Sequence, residues 1–210
     1  MVASLSFEKK AKEQGFELIV GVDEAGRGPL AGPVVASAVL LNNYDFNNRI
    51  DDSKKITPLQ RENAFHEIHQ NGCVGVGIVS EAVIDSSNIL QATFFAMGVA
   101  VSNLISGLPK LVTDCQNFDR KVLLLIDGKF FKTTLPYSYQ TVVAGDSLSL
   151  SIACASIIAK VTRDRILTAY DKIFPQYGFK QNKGYGTIAH REAIRRFGPS
   201  PIHRRTFNFK

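Results

Sequence analysis

Residues 121–127 (KVLLLID) carry five apolar side chains in a row and are closed by Gly128, the pattern of a strand buried on both faces of a sheet. A strand with no solvent face requires helices above and below it. Residues 17–23 (ELIVGVD) form a second apolar run that also ends on an aspartate. A glycine-rich turn follows, then residues 33–41 (PVVASAVLL), so the two runs read as a hairpin with a broad loop. Residues 73–80 (CVGVGIVS) alternate glycine with β-branched side chains as a third strand, and residues 140–144 form a weaker one. Thr57 and Pro58 start a helix reaching about Asn71, and Asn88 caps a helix with apolar side chains at 90, 94, 97, 101 and 104. Residues 148–172 are helix-like, and Thr187 caps a last helix ending near Phe197. The order mixes a leading antiparallel hairpin with later crossovers, so the expected fold class is α/β, a mixed sheet covered by helices. With 210 residues, no repeat and no low-complexity linker, one structural unit is expected.

The formal charge of +6 is unevenly placed. Residues 1–159 hold 13 basic and 16 acidic side chains, net −3, whereas residues 160–210 hold 12 and 3, net +9. A local excess of that size suits a polyanion such as nucleic acid, an anionic membrane surface, or simply a solvated basic face. Cys73, Cys115 and Cys154 are odd in number, widely spaced and without CxxC, which fits neither a disulfide framework nor a zinc site and predicts buried thiols in a reducing cytosol. Charges at Glu8, Lys9 and Lys10 fall where a signal peptide needs its apolar stretch, and the apolar run 31–41, broken by Pro33, is too short to span a bilayer. Neither secretion nor membrane insertion is expected, and the expected location is cytoplasmic.

Asp23 and Asp127 each close an apolar strand. If those strands lie parallel and adjacent, both carboxylates emerge at one sheet edge, where ligand sites collect. Glu24 follows directly, and Asp146 stands before a helix, as a further acid of the cluster or as a helix cap. Acids gathered at one point repel unless hard cations sit between them, and oxygen-only ligands point to Mg²⁺ or Mn²⁺. Two such ions clamp the attacking and leaving oxygens of a phosphoryl displacement, which makes a metal-dependent nuclease the leading chemistry.

Residues 26–32 (GRGPLAG) follow a strand, as a dinucleotide-binding turn would, with Asp51 or Asp52 as the ribose acid. Pro29, Pro33 and the β-branched Val34 and Val35 favour a returning strand over the helix that motif needs, so glycines that admit close backbone approach are the better reading. His66-Glu67-Ile68-His69 spaces its histidines i, i+3 instead of i, i+4 and lacks an evident third ligand, so ordinary surface histidines are expected.

Residues 22–34 (VDEAGRGPLAGPV) resemble the opening motif of bacterial ribonuclease HII. The same resemblance extends through 52–55 (DSKK), 126–128 (IDG), 145–147 (GDS), 155–165 (ASIIAKVTRDR), 182–187 (NKGYGT) and 198–205 (GPSPIHRR), in order and spacing, from about residue 17 to the end. It implies a ribonuclease H-like mixed five-stranded sheet flanked by helices, divided as an N-terminal segment 1–16, a catalytic core 17–172 and a helical, basic C-terminal extension 173–210 packed on the core. The implied activity is metal-dependent hydrolysis of the RNA strand of RNA/DNA hybrids and nicking 5′ of ribonucleotides embedded in duplex DNA. By position, Asp23, Glu24, Asp127 and Asp146 match the family's metal-binding acids, holding two Mn²⁺ or Mg²⁺ ions. Gly26, Arg27 and Gly28 match its loop that senses the ribose 2′-OH, and Tyr185 matches the tyrosine that packs on the neighbouring sugar. Lys54, Lys55, Lys160 and Arg163 match phosphate-contacting positions. The implied partners are hybrid and ribonucleotide-containing duplexes, with the chain acting as a monomer. A sliding-clamp or other replication partner stays open: residues 207–210 (FNFK) read equally as a docking peptide or as packing. The nearest alternative, ribonuclease HIII, needs an added N-terminal domain for which the 22 residues before Asp23 leave no room. A hybrid-binding protein without catalysis would not need all four acids.

Overall fold

The computed structural model describes residues 3–109, 113 and 116–209; Cys115 and Lys210 lie outside the described residues. Five strands, β1 (Leu18–Ala25), β2 (Val34–Leu41), β3 (Gly72–Val79), β4 (Val122–Asp127) and β5 (Ser138–Val142), form one sheet in the order β3-β2-β1-β4-β5. β1 runs antiparallel to β2, with Val20 opposite Leu40, and parallel to β4, with Val22 beside Ile126. β4 in turn runs parallel to β5. Hairpin and crossovers both stand as expected, and β4 sits inside the sheet, as its unbroken apolar run demands.

The helices are α1 (Ser6–Glu13), α2 (Pro58–Asn71), α3 (Glu81–Ser86), α4 (Ile89–Ser106), α5 (Phe118–Lys121), α6 (Leu150–Ile173), α7 (Phe179–Asn182) and α8 (Ile188–Phe197). Thr57 and Gln60 form a reciprocal capping box at α2. Asn88, Ser149 and Thr187 cap α4, α6 and α8 by accepting the amides of Gln91, Ile152 and His190. The cap of α6 is therefore Ser149, and Asp146 is free for another role.

Alternation along each strand divides the core. Val20, Val22, Ala36, Ala38, Leu124 and Ile126 face α4, while Val39 and Leu41 pack with α2 and α6 on the other side. Gly75 and Gly77 let α4 come so close that a Cβ on either would overlap the carbonyls of Ala100 and Ala96. α4 is long and apolar enough to cross a bilayer by length and composition alone, with a mean hydropathy of 1.6; here its Ala92, Ala96, Ala100 and Leu104 stripe is buried against the sheet. On the other face, Gly21 does for α6 what Gly75 and Gly77 do for α4.

The ends of the chain fasten to the core. Glu8 of α1 is buried at the start of α6, where its Oε1 accepts from Ser149 Oγ and from Ser151 N–H and Oγ. The C-terminal segment folds over Leu30, Ala31 and Leu167 through Tyr177, Phe179, Ile194 and Ile202. Phe209 stands edge-on to His203, which is the packing alternative for the aromatic tail. Cys154 is buried and Cys73 half-buried; neither forms a disulfide.

Candidate active site

The parallel register puts Val22 beside Ile126, so the next residues, Asp23 and Asp127, stand side by side on one face where the β1–β4 pairing ends; Asp23 does not close its strand as expected, because β1 stays paired to β2 as far as Ala25. Asp146 follows β5 in a short 3-10 turn, Gly145–Ser147. The Gly145 N–H donates to Asp127 Oδ1 at 2.7 Å, which ties the turn to the strand end. Carboxylate oxygens of Asp23, Asp127 and Asp146 all lie within 4.8 Å of one another. That spread is close to the roughly 4.2 Å between opposite oxygens around Mg²⁺ at about 2.1 Å. Three hard oxygen donors at this spacing fit a divalent cation, and they fit poorly with each other.

Electrostatics register that misfit. Burial, followed by the charges of Glu24 and Asp127, pushes the Asp23 carboxyl well above its ordinary range. Asp146 is raised by burial and by the charges of Asp127 and Asp52, with Lys54 opposing. Burial also raises Glu24, offset in part by Arg27, whose Nη1 lies 3.3 Å from Glu24 Oε1. Lys54 Nζ lies 3.7 Å from Asp146 Oδ2 and 3.8 Å from Asp52 Oδ1; burial works against its charge, but Asp52 first and then Asp146, Asp23 and Asp127 hold its pKa up.

Beside the acids lies a cleft of about 250 Å³ lined by Glu24, Gly26, Arg27, Gly28, Lys54 and Tyr185, among others. After this loop the chain returns as β2 without a helix, which removes the dinucleotide reading. Gly26 has φ +100°, and a Cβ there would strike the Arg163 side chain. Tyr185 is 46% exposed, and its ring edge would lie 3.9 Å from a Cβ on Gly28, so loop and tyrosine form two walls of one cleft.

The remaining predicted residues divide. Lys160 lines the same cleft, paired with Asp164 at 2.8 Å. Lys55 is tied to Ser147 Oγ at 2.7 Å, next to Asp146. Arg163 departs from expectation: it is 1% exposed, with its guanidinium hydrogen-bonded to the carbonyls of Pro33, Lys183 and Ala31. Three of its five N–H donors are held by these carbonyls, so it braces the cleft that it also lines. Next to the cleft, a groove of about 710 Å³ is lined by Arg61, Lys160, Arg165, Lys172, Lys180 and Lys183 against Glu62 and Asp164. His66 and His69 are surface residues as expected, and Glu67 between them binds the amides of Asn47 and Asn48.

Sequence reasoning missed Asp52, whose charge acts on Asp146, and Ser156 of α6, which is bonded to Ser53 Oγ at 2.9 Å and favours the Asp23 carboxylate. It also missed Arg204, which is fully buried under the glycine loop. Each of these carried a signal that was given no role: Asp52 opens the 52–55 motif, and Ser156 and Arg204 stand in the 155–165 and 198–205 motifs.

Comparison with known proteins agrees with this geometry. The family model described as Ribonuclease HII matches residues 20–210. Ribonuclease HII of Geobacter sulfurreducens is 50% identical over 96% of this chain and 87% of its own length. Among solved structures, the chain is similar to ribonuclease HII in its complex with PCNA from Archaeoglobus fulgidus, with TM-score 0.72 and 21% identity over 92% of this chain and 96% of that one. It is similar in fold to Bst-RNase HIII in complex with Mn²⁺, with TM-score 0.68 and 15% identity over 95% of this chain and 70% of that one. With the sheet edge, the acids and the glycine loop arranged as described, the chain belongs to the ribonuclease HII family.

Proposed function

We propose that this ribonuclease H cleaves the RNA strand of RNA/DNA hybrids and nicks duplex DNA on the 5′ side of single embedded ribonucleotides, leaving 3′-hydroxyl and 5′-phosphate ends. The observation that carries the reading is the cluster of Asp23, Asp127 and Asp146 oxygens within 4.8 Å, opening beside a glycine loop. Asp23, Asp127 and Asp146 would hold divalent cations, Mn²⁺ or Mg²⁺, with Glu24 beside them. Such ions supply acidity that makes water a nucleophile at neutral pH, and charge that steadies the leaving 3′-oxygen.

The protein's own groups orient the substrate. A 2′-hydroxyl distinguishes RNA from DNA at one nucleotide, and reading it needs donors and acceptors at close range; the glycines of the 26–28 loop admit that approach. Tyr185 offers an exposed ring across the cleft for a neighbouring sugar. Lys54 and Lys160, with the basic groove alongside, hold phosphates without reading sequence.

An end-labelled duplex containing one ribonucleotide tests the reading directly. Cleavage is expected with Mg²⁺ or Mn²⁺ and none in EDTA, and tight binding without cleavage in either metal would convert the assignment to a binding protein. Tyr185→Ala should lower kcat/KM on the single-ribonucleotide duplex by roughly 10- to 100-fold, the range of losing one stacked aromatic, and lower it less on a uniform hybrid. Equal losses on both substrates would mean that Tyr185 only packs. Binding should also weaken with salt, and Lys54→Ala should reduce the slope of log K against log salt by about one. An unchanged slope would remove Lys54 from the phosphate contacts.

A further inference from the structure

Two adjacent residues of the C-terminal tail reach the two walls of the cleft from behind. Every hydrogen bond of the buried Arg204 guanidinium goes to a carbonyl of the glycine loop. Nε donates to Gly32 at 3.0 Å, Nη1 to Arg27 at 2.9 Å, and Nη2 to Gly26 at 2.5 Å and to Gly32 at 2.8 Å. Among the described residues no carboxylate lies within salt-bridge distance of Arg204; the loop carbonyls, with the more distant charges of Glu81 and Asp85, favour its charge, while burial and the neighbouring Arg163 lower its pKa to about 9. Peptide planarity turns this packing into orientation. In a trans peptide the C=O of one residue and the N–H of the next point in opposite directions. With the Gly26 and Arg27 carbonyls drawn inward, the N–H groups of Arg27 and Gly28 point away from Arg204, toward the cleft these residues line.

His203 acts on the opposite wall. The Ser200 N–H donates to His203 Nδ1 at 2.9 Å, so that nitrogen is an acceptor and the ring proton sits on Nε2. That proton faces His190 Nε2 at 3.0 Å, which leaves His190 Nδ1–H to donate to the Tyr185 carbonyl at 2.8 Å. Burial lowers the pKa of both rings, that of His203 to about 4, which favours the neutral imidazoles, and one tautomer assignment satisfies the whole chain of bonds. Backbone bonds complete the brace: Arg204 N–H to Leu30 O at 2.9 Å, Gly32 N–H to Ile202 O at 2.8 Å, and Leu30 N–H to Gly184 O at 2.8 Å.

We propose that His203 and Arg204 are positioning residues for ribose recognition: Arg204 holds the 26–28 loop and His203, through His190, holds Tyr185, so the two walls of the cleft keep one spacing. The proposal rests on the reading of those walls as the ribose site. Neither side chain touches substrate; both act through backbone they hold.

Arg204→Lys keeps the cation and loses the fork. His203→Asn keeps an acceptor for the Ser200 amide and cannot reach His190. Each full-length variant is to be measured by amide hydrogen exchange and by kcat and KM on single-ribonucleotide and uniform-hybrid duplexes. Exchange at Leu30 and Gly32, whose amides are hydrogen-bonded to Gly184 and Ile202, in the first variant, and at Tyr185, whose amide is bonded to Asn182, in the second, should rise at least about tenfold while β1 and β4 are unchanged. On the single-ribonucleotide duplex, kcat should fall at least about tenfold with little change in KM, as expected when a bound substrate is displaced from its reactive placement. Unchanged local exchange, or acceleration spread evenly over the sheet, overturns the proposal. Tyr185→Ala measured in parallel separates the two ideas. If it leaves single-ribonucleotide cleavage intact, the reading of the cleft fails; if it impairs cleavage while both tail variants cleave normally, the positioning role fails.

Discussion

Asp127→Asn is expected to lower cleavage of a ribonucleotide-containing duplex by at least about 10²- to 10³-fold in Mg²⁺ or Mn²⁺, the loss typical of removing one preorganised group that faces developing charge. The substitution keeps size and shape and removes a charge. Asp127 is the shared member of the site: its carboxylate raises Asp23 and Asp146 alike, and its Oδ1 holds the Gly145 amide that carries the Asp146 turn. An asparagine Oδ1 can still accept that amide hydrogen bond, so the turn should stay in place. In EDTA the variant should therefore melt no lower than the parent, because one of three crowded acids is gone. Parent-like turnover would remove Asp127 from the metal site. A drop in Tm of several degrees would instead attribute the loss to misfolding.

The largest effect on stability is expected from Gly21→Ala, which touches no functional group. A methyl at Gly21 would overlap the carbonyl of Ser151 and the amide of Ile152 in α6, and backbone cannot move aside by changing a rotamer. Over-packing of this kind costs about 3 kcal/mol or more, a Tm decrease of roughly 6–12 °C for a chain of this size. Gly98→Ala in α4 is the control: nothing lies within 4 Å of its added Cβ, and exchanging glycine for alanine inside a helix should stabilise by about 0.5–1 kcal/mol. Thermal unfolding of the pair checks both signs. Equal Tm values would mean that β1 and α6 do not pack as tightly as described. Because Asp23 lies two residues along β1 on the same face, the Gly21 variant should also lose activity below its melting temperature.

Much of this architecture was legible because it follows from periodicity and end signals. The apolar run of β4, the alternation in β3 and the caps at Thr57, Asn88 and Thr187 are local, and all appear where expected. α1, α3, α5 and α7 were not anticipated, since they are short and polar and form by packing at the ends of larger elements. The pair Asp23 and Asp127 was anticipated from two strands that each end on an acid. Whether those strands were neighbours and parallel was a condition, and the sheet register met it.

The residue types of the site, four acids, a glycine loop, lysines and a tyrosine, could be listed from the chain because catalytic chemistry depends on functional groups and each type was visible in its motif. What only the tertiary structure decided is which donors face the cleft. Arg163 and Arg204 look alike in a basic C-terminal third, and both hydrogen-bond carbonyls of the loop, whereas Lys54 and Lys160 pair with the carboxylates of Asp146 and Asp164. The physical reason is satisfaction of buried backbone. A tight loop leaves carbonyls that must find donors, an arginine fork supplies several at once, and the carbonyls needing it come from residues more than 100 positions away in the chain.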